Sequence, residues 1–444
     1  MLGARDLELL SHYLSHTSRT IAFDRDDLYA LHVGIPNLAF GSKALMSSML
    51  ALAAACQCHG LLESASATPG APSAGPDVAR VRELLVLAEQ HHAASLRQIQ
   101  EDLPSTERYD HVLANAALMV LYGSASHWVR IRLVRVCEAG SRRLPREFMP
   151  VRSQWMSLIR AVHSAYVGLL ADQAQNPGVA GIGDCGRGSP PRVDFGDVYV
   201  ACPQDGPSDD TRRLLFPILA ATSGSALAKL RARARQVEAG AGINNTSFQS
   251  CVEALVALET VMSETFGDKS PAALSLETTG SQTEDDKREP PYPYSLGRLS
   301  NVAPWLRSYT ARVTMNSRDS RPLRRTINAF INRVPSAYLH MVQATLEHIP
   351  LNRSQRTTPD VNHGGNDDSV HRLAMDIFAH WLVLMLLLDG VWWIGGIGAW
   401  ELGRVVAYMR EGGRTGGGYG EGSKAWWPDS MYNIRTELSR HLGE

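Results

Sequence analysis

Apolar side chains recur at intervals of three and four residues along most of the chain. The spacing is clearest in three stretches, which begin at Val78, Trp155 and Val252. It is typical of amphipathic α-helices, in which such residues line one face. Thr246 or Ser247 is placed to cap the third of these helices, and Gly267 to end it. We therefore predict that helices dominate the fold.

Five stretches interrupt the helical pattern and are rich in Gly, Pro, Ser, Thr or Asp, which favour turns and solvated loops. The predicted loops are 64–77, 173–210, 267–293, 353–369 and 411–424. Segments that alternate in the manner of a strand are scarce, and Val193–Val200 is the only modest candidate. The pattern predicts an all-α fold, namely a large irregular multi-helix domain with helical-hairpin packing, no substantial sheet and a single domain over 1–444.

Composition agrees with a packed globular protein, because 44% of the residues are hydrophobic and 20% are charged. The 44 Lys and Arg residues nearly cancel the 45 Asp and Glu residues. Proteins that neutralise several phosphates usually carry a basic excess or a basic patch. We therefore expect no direct, specific binding of DNA.

The six cysteines are dispersed, and no Cys-x-x-Cys pair occurs. The N-terminus lacks the pattern of a secretory signal, so we expect a reducing compartment without a disulfide framework. Cys56 and Cys58 lie in an Ala- and Leu-rich segment, and a spacing of two residues turns helical side chains about 200° apart. We interpret both as buried structural thiols and predict no metal site.

The most apolar stretch, Leu373–Trp400, has the composition of a membrane segment at first sight. Asp376, His380 and Asp389 interrupt it, and a transmembrane helix needs about 20 predominantly apolar residues. We therefore interpret the stretch as protein core, with His380 as a hydrogen-bonded core histidine. No membrane span is predicted.

Both ends of the chain carry motifs that resemble a known family. At the N-terminus they are a Leu-His-Tyr helix, a P-x-L-A-F turn and an Ala-rich helix, and they comprise Leu7, Glu8, Leu9, Leu10, His12, Tyr13, Leu14, Thr17, Val33, Ile35, Pro36, Leu38, Ala39, Phe40, Leu45 and the run 50–54. At the C-terminus they comprise 397–403, Trp427, Pro428, Ser430, Met431 and Tyr432. Together they resemble the fungal-specific transcription factor domain of the zinc binuclear cluster family, in the subgroup of the sterol-uptake-control regulators.

The resemblance implies a transcriptional regulator of a fungal metabolic or secondary-metabolite gene set, located in the nucleus. The six-cysteine zinc cluster by which this family reads DNA is missing from the sequence. We therefore expect the chain to act as a regulatory domain through transcription-related protein partners. The alternative is a small-molecule-binding sensor without a direct transcriptional role.

The resemblance also implies a ligand site, because the sterol-sensing members bind an apolar ligand in the C-terminal helical domain beside a glycine-rich loop. The candidate residues for a sterol or another apolar ligand are Met375, Trp381, Met385, Trp392, Trp393, Gly396, Gly398 and Trp400. The same aromatic and methionine density is also typical of plain core. We further hypothesise that the turn Gly395–Gly398 is a switch that senses a ligand or partner.

No motif for an enzyme reaction is present. The turn from Gly395 to Gly398 superficially resembles a dinucleotide-binding loop, but Glu401 stands where the third glycine is needed. Lys229, Arg231, Arg233 and Arg235 alternate with apolar residues, which suits a solvated helix face. We predict that the chain is not an enzyme and needs no cofactor.

Overall fold

The structure, a computed structural model, describes residues 2–64, 77–102, 109–140, 143–150, 153–171, 206–240, 245–267, 299, 301–314, 322–349, 367–415 and 425–442. Within these ranges the chain is almost wholly helical and contains no strand. The prediction of an all-α fold is confirmed. The strand candidate Val193–Val200 and most of the predicted loop residues lie outside the described ranges.

The helices occur in two runs along the chain. The first is α1 Ala4–His12, α2 Ser18–Ile21, α3 Arg25–Tyr29, α4 Ile35–Ala39, α5 Lys43–Ser64, α6 Val78–Asp102, α7 Tyr109–Ala139 and α8 Gln154–Ala171. The second is α9 Phe216–Gly240, α10 Thr246–Phe266, α11 Pro304–Thr314, α12 Leu323–Arg333, α13 Ser336–His348, α14 Asp367–Met385, α15 Ile397–Thr415 and α16 Trp427–Leu442. Helix α14 begins, and helix α15 ends, within segments predicted as loops.

Local sequence explains several helix ends. The side chain of Asn245 accepts a hydrogen bond of 3.1 Å from the amide of Phe248, so Asn245 caps α10 one position before the two predicted caps. Gly267 follows the last residue of α10, as predicted. Pro322 and Pro335 stand just before α12 and α13, where a fixed φ and a missing amide proton cost the helix nothing.

The chain divides into two compact units. Unit 1 contains α1 to α7, α8 from Ser157 onward, and α11, and unit 2 contains 150–156, α9, α10 and α12 to α16. The prediction of a single regulatory domain over the whole chain stays a prediction.

Helix α5 is the central element of unit 1. Apolar residues surround it on all sides, and it is buried along most of its length against α1, α4, α6 and α7. At its C-terminal end, Cys58 and Leu62 join an apolar cluster with residues of α6, α7 and the turn at Phe148. A helix that is apolar all round is stable in water only when neighbouring helices cover it, so α5 organises the packing of this unit.

The N-terminal segment of unit 1 is one helical stretch, Ala4–Ile21, in which a π-turn at Tyr13–Thr17 links α1 to α2. The hydroxyl of Tyr13 donates a hydrogen bond of 3.0 Å to the carbonyl of Leu31 and so ties this stretch to the next one. Gly34 lies so close to Trp305 of α11 that a Cβ atom there would come within 2.7 Å of the indole. Close backbone approach therefore requires glycine at this position.

Helix α14 has the central position in unit 2. It packs against α9, α10, α13, α15 and α16. Every residue from Leu373 to Leu388 is buried. The hydroxyl of Tyr338 donates a hydrogen bond of 3.0 Å to the carbonyl of Ala374, which fixes α13 against α14. The interpretation of this stretch as core agrees with its burial.

The prediction that no segment suits a membrane span is wrong by the criteria of length and composition. Among the residues that the structure describes, three helical stretches are long and apolar enough to cross a membrane: Lys43–Ser64, Tyr109–Ala139 and Ser369–Leu388. The third begins before the apolar run that we considered and ends before Asp389, so its charges are too few to disqualify it. In the first two, the most apolar part is rich in alanine and carries few charges. Between 72% and 89% of the most apolar window of each stretch is buried within the protein.

Candidate functional site

The predicted ligand-binding residues of α14 lie in the centre of unit 2. Met375, Trp381 and Met385 are completely buried. The ring of Trp381 stacks on Phe330 at 5.3 Å and on Trp155 at 6.1 Å between ring centroids. Its indole Nε1 donates a hydrogen bond of 2.9 Å to the carbonyl of Ile327. Neighbouring protein groups therefore cover Trp381 and satisfy its polar atom.

The other candidates lie on the turn after α14 and the first part of α15. Trp393 is buried beneath the guanidinium group of Arg324, whose Cζ lies 5.9 Å from the ring centroid, whereas Trp392 and Trp400 are half-buried. A Cβ atom at Gly398 would come within 2.7 Å of the Cβ of Met385.

The eight candidates thus occupy two packed helices and the turn between them. Their role in ligand binding stays a prediction.

Close packing explains two glycines of this turn, Gly395 and Gly398. A Cβ atom at Gly395 would lie 2.6 Å from the carbonyl oxygen of Asp389. Asp389 itself accepts hydrogen bonds from the amide and hydroxyl of Ser208, both of 2.8 Å, and from the hydroxyl of Thr211 at 2.6 Å. Since Thr211 begins the helical segment that leads into α9, Asp389 fixes the start of that segment against the glycine-rich turn.

A buried carboxylate lies beside the predicted ligand residues. Asp376 accepts hydrogen bonds from Trp426 Nε1 at 2.7 Å and from Arg233 Nη1 at 3.1 Å, and its Oδ1 lies 3.3 Å from Nδ1 of His380. Burial alone would raise the pKa of Asp376, but its hydrogen bond and electrostatic interaction with His380, the charge of Arg233 and the Trp426 hydrogen bond outweigh burial and leave that pKa below the ordinary value. The carboxylate is therefore charged and compensated.

His380 has the hydrogen-bonded core position that we predicted. Its Nδ1 lies 2.8 Å from the carbonyl of Asp376, and its ring stacks on Trp427 at 5.3 Å. The indole Nε1 of Trp427 in turn donates a hydrogen bond of 2.8 Å to the hydroxyl of Thr222. Through these contacts α16 is fixed to both α9 and α14.

The basic run of α9 divides between solvent and interior. Lys229, Arg231 and Arg235 are exposed, and Arg231 pairs with Glu259 of α10. Arg233 departs from the predicted solvated face, because it reaches Asp376. The run thus supplies one charge to the interior of unit 2.

Glu401, which stands where a dinucleotide-binding loop would have glycine, has a structural partner. It is fully buried and accepts a hydrogen bond of 2.7 Å from Nη1 of Arg404. Nη2 of Arg404 donates to the carbonyls of Leu346 and Ile349 at 3.0 and 3.2 Å, at the C-terminal end of α13. A cation there satisfies terminal carbonyls that no helical amide reaches.

All four cysteines in the described part of the chain are buried and outside any disulfide: Cys56, Cys58, Cys137 and Cys251. Burial raises the pKa of Cys58 and of Cys251 to about 12. The interpretation of Cys58 as a buried structural thiol is confirmed, since it lies in the apolar cluster at the end of α5.

Cys56 is also buried, but its surroundings differ. A ring nitrogen of His12, a ring nitrogen of His16 and the Sγ of Cys56 all lie within 4.8 Å of one another. Sequence reasoning missed this group. The spacing of four between His12 and His16 in a helical segment was a usable signal, whereas Cys56 lies on a different helix and is brought near only by the fold.

Comparison of the chain with protein-family models, with curated proteins and with solved structures finds no match in any of the three. The structure defines the chain as an all-α protein. Inferences about its activity therefore rest on its own residues.

Proposed function

We propose that this chain is a regulatory domain that controls the transcription of a fungal metabolic or secondary-metabolite gene set, acts in the nucleus and works through protein partners. The proposal starts from the two sets of motif residues that resemble the fungal-specific transcription factor domain. It is supported by an observation about their packing, namely that a residue of each set contacts another part of that set or the segment that leads into it.

In the N-terminal set, the tyrosine of the Leu-His-Tyr helix reaches the segment that leads into the P-x-L-A-F turn, because Tyr13 donates to the carbonyl of Leu31. In the C-terminal set, Gly403 of the Trp-Glu-Leu-Gly motif lies against Tyr432, and a Cβ atom at Gly403 would come within 2.9 Å of that ring. Residues that fit one another in this way behave as one packing unit. This supports a shared domain type over a chance match of short motifs.

An exposed aromatic residue is available for a partner. Phe40, the last residue of the P-x-L-A-F turn, has 68% of its surface accessible. Aromatic side chains contribute strongly to protein interfaces when a partner covers them. Because most of its surface is exposed, its truncation should change stability little, so Phe40→Ala is suited to separate binding from folding. Val256→Ala, at a residue of α10 that is 57% exposed, is the matched control.

The experiment tethers the full chain to a reporter promoter through an unrelated DNA-binding module in a fungal host. We expect reporter output to change severalfold, Phe40→Ala to reduce the change, and Val256→Ala to preserve it at equal protein level. Transcript profiling of a strain that lacks the gene is the second arm, and a fluorescent fusion tests nuclear location. Unchanged reporter output and unchanged transcripts, with the protein present at normal level, would contradict the proposal.

A further inference from the structure

The N-terminal helical stretch of unit 1 brings two imidazole rings together. His12 is the last residue of α1 and His16 lies in the π-turn that follows. Residues four apart face the same side of a helix, and the two ring centroids are 5.2 Å apart. This spacing leaves both imidazoles within reach of one ion.

Cys56 approaches the same point from α5. In a tetrahedral zinc site with nitrogen ligands at about 2.0 Å and sulfur at about 2.3 Å, the ligand atoms are about 3.5 Å from each other. The three atoms lie within 4.8 Å of one another, so side-chain rotations that move them by about 1 Å are enough to reach that geometry.

Two threonines of the same stretch hold the group in place. The Oγ1 of Thr17 lies 3.0 Å from Nδ1 of His12, and the side chains of Thr17 and Thr20 both hydrogen-bond the thiol of Cys56. Outer contacts of this kind orient the ligands of metal sites.

We propose that His12, His16 and Cys56 bind a single Zn²⁺ ion, with water as the fourth ligand. Two imidazoles and one thiolate suit zinc, whereas Mg²⁺ and Ca²⁺ prefer oxygen ligands, which none of these three side chains offers. His16 is exposed, so the fourth position faces solvent. The thiol proton of Cys56 passes to water as the sulfur binds the ion.

The ion would join the N-terminal stretch to the central helix of unit 1, because two of its ligands come from Ala4–Ile21 and the third from α5. The site does not depend on the proposed transcriptional role. It is also distinct from a six-cysteine zinc cluster, with which it shares neither ligands nor spacing.

The test uses the full chain, purified without metal under reducing conditions and titrated with Co²⁺, whose binding to a thiolate produces a sulfur-to-cobalt charge-transfer band in the near ultraviolet. We expect the band to saturate at one Co²⁺ per chain and to disappear when Zn²⁺ is added. Cys56→Ser should abolish the band. His16→Ala should weaken binding by more than about tenfold, and because His16 is exposed this variant should keep the fold.

Two variants serve as controls. Cys58→Ser changes the neighbouring thiol on the same helix, and His340→Ala changes an exposed histidine of α13; both should leave the band unchanged. Far-ultraviolet circular dichroism verifies the fold of each variant, and if Cys56→Ser does not fold, His16→Ala decides. Absence of the band in the unmodified chain overturns the proposal, as does an equal loss in Cys58→Ser or in His340→Ala.

Discussion

The indole of Trp426 donates a hydrogen bond of 2.7 Å to the buried carboxylate of Asp376. Arg233 donates to the other oxygen of that carboxylate, and so α9, α14 and the residue just before α16 meet at one compensated charge. A buried ion pair stabilises little by itself, but its loss is costly because the remaining partner is left without compensation. Asp376 is therefore the polar residue on which the packing of these three helices depends.

We predict that Asp376→Asn lowers the free energy of unfolding by about 3 kcal/mol, because Arg233 loses its charged partner. Urea unfolding monitored by circular dichroism measures the change. The control is Glu259→Gln, which removes the partner of the exposed Arg231 on the same helix as Arg233. Surface pairs contribute little, so this variant should unfold with an almost unchanged midpoint. Equal midpoints for the two variants would show that Asp376 has no special role.

Lowering the pH below about 6.5 should reduce the stability of unit 1 through a buried histidine. Burial lowers the pKa of His59 from its usual 6.5 to about 4, with Arg132 and His16 adding to the effect and Glu63 opposing it. Between these two values the unfolded chain binds a proton that the folded chain does not. Stability is therefore complete above about pH 6.5 and falls as the pH is lowered toward about 4.

His59→Gln should flatten this dependence, which hydrogen exchange of α5 peptides at several pH values will measure. A pH dependence identical to that of the unmodified chain would exclude His59 as its cause.

Gly34→Ala should destabilise the protein by about 1–3 kcal/mol, because the new methyl group would overlap the ring of Trp305. Gly60→Ala is the matched control, since nothing lies within 4 Å of a Cβ atom there. Gly60 is inside α5, where alanine is favoured over glycine by about 0.5–1 kcal/mol. The two substitutions thus have opposite expected signs, and thermal unfolding of both variants separates close packing from helix propensity.

The switch hypothesis for the turn Gly395–Gly398 predicts that Gly396→Asp changes reporter output at normal protein level. Gly396 is half-buried, so an added side chain is less confined there than at a fully buried position. Gly398→Asp is the contrasting variant, because its side chain would collide with Met385. It should lower the amount of folded protein. If output in Gly396→Asp merely follows a falling protein level, the turn is structural and the switch hypothesis fails.

Sequence periodicity was sufficient to predict the class of fold, because a spacing of three and four residues between apolar positions follows directly from the local geometry of a helix. It also identified Trp381 as a residue of the most apolar segment. It could not reveal that Arg233 reaches Asp376, since residues distant in sequence meet only through tertiary packing. For the same reason, the sequence could not predict that Cys56 lies close to His12 and His16.

The exact ends of the helices were harder to predict from the sequence than the presence of the helices. Asn245, Thr246 and Ser247 are all good caps, and only the folded backbone decides which one is used. The error about membrane spans had a different cause. The charged residues were counted over Leu373–Trp400, which includes Asp389. The helix that forms extends from Ser369 to Leu388 and excludes Asp389.

The buried thiols are natural probes of transient opening of the protein. A thiolate is the reactive form of cysteine, and burial holds Cys58 of unit 1 and Cys251 of unit 2 protonated and covered. An alkylating reagent can therefore reach either sulfur only when the surrounding helices separate. The rates at which these two cysteines are modified will therefore report how often each unit opens transiently, without any label having to be introduced.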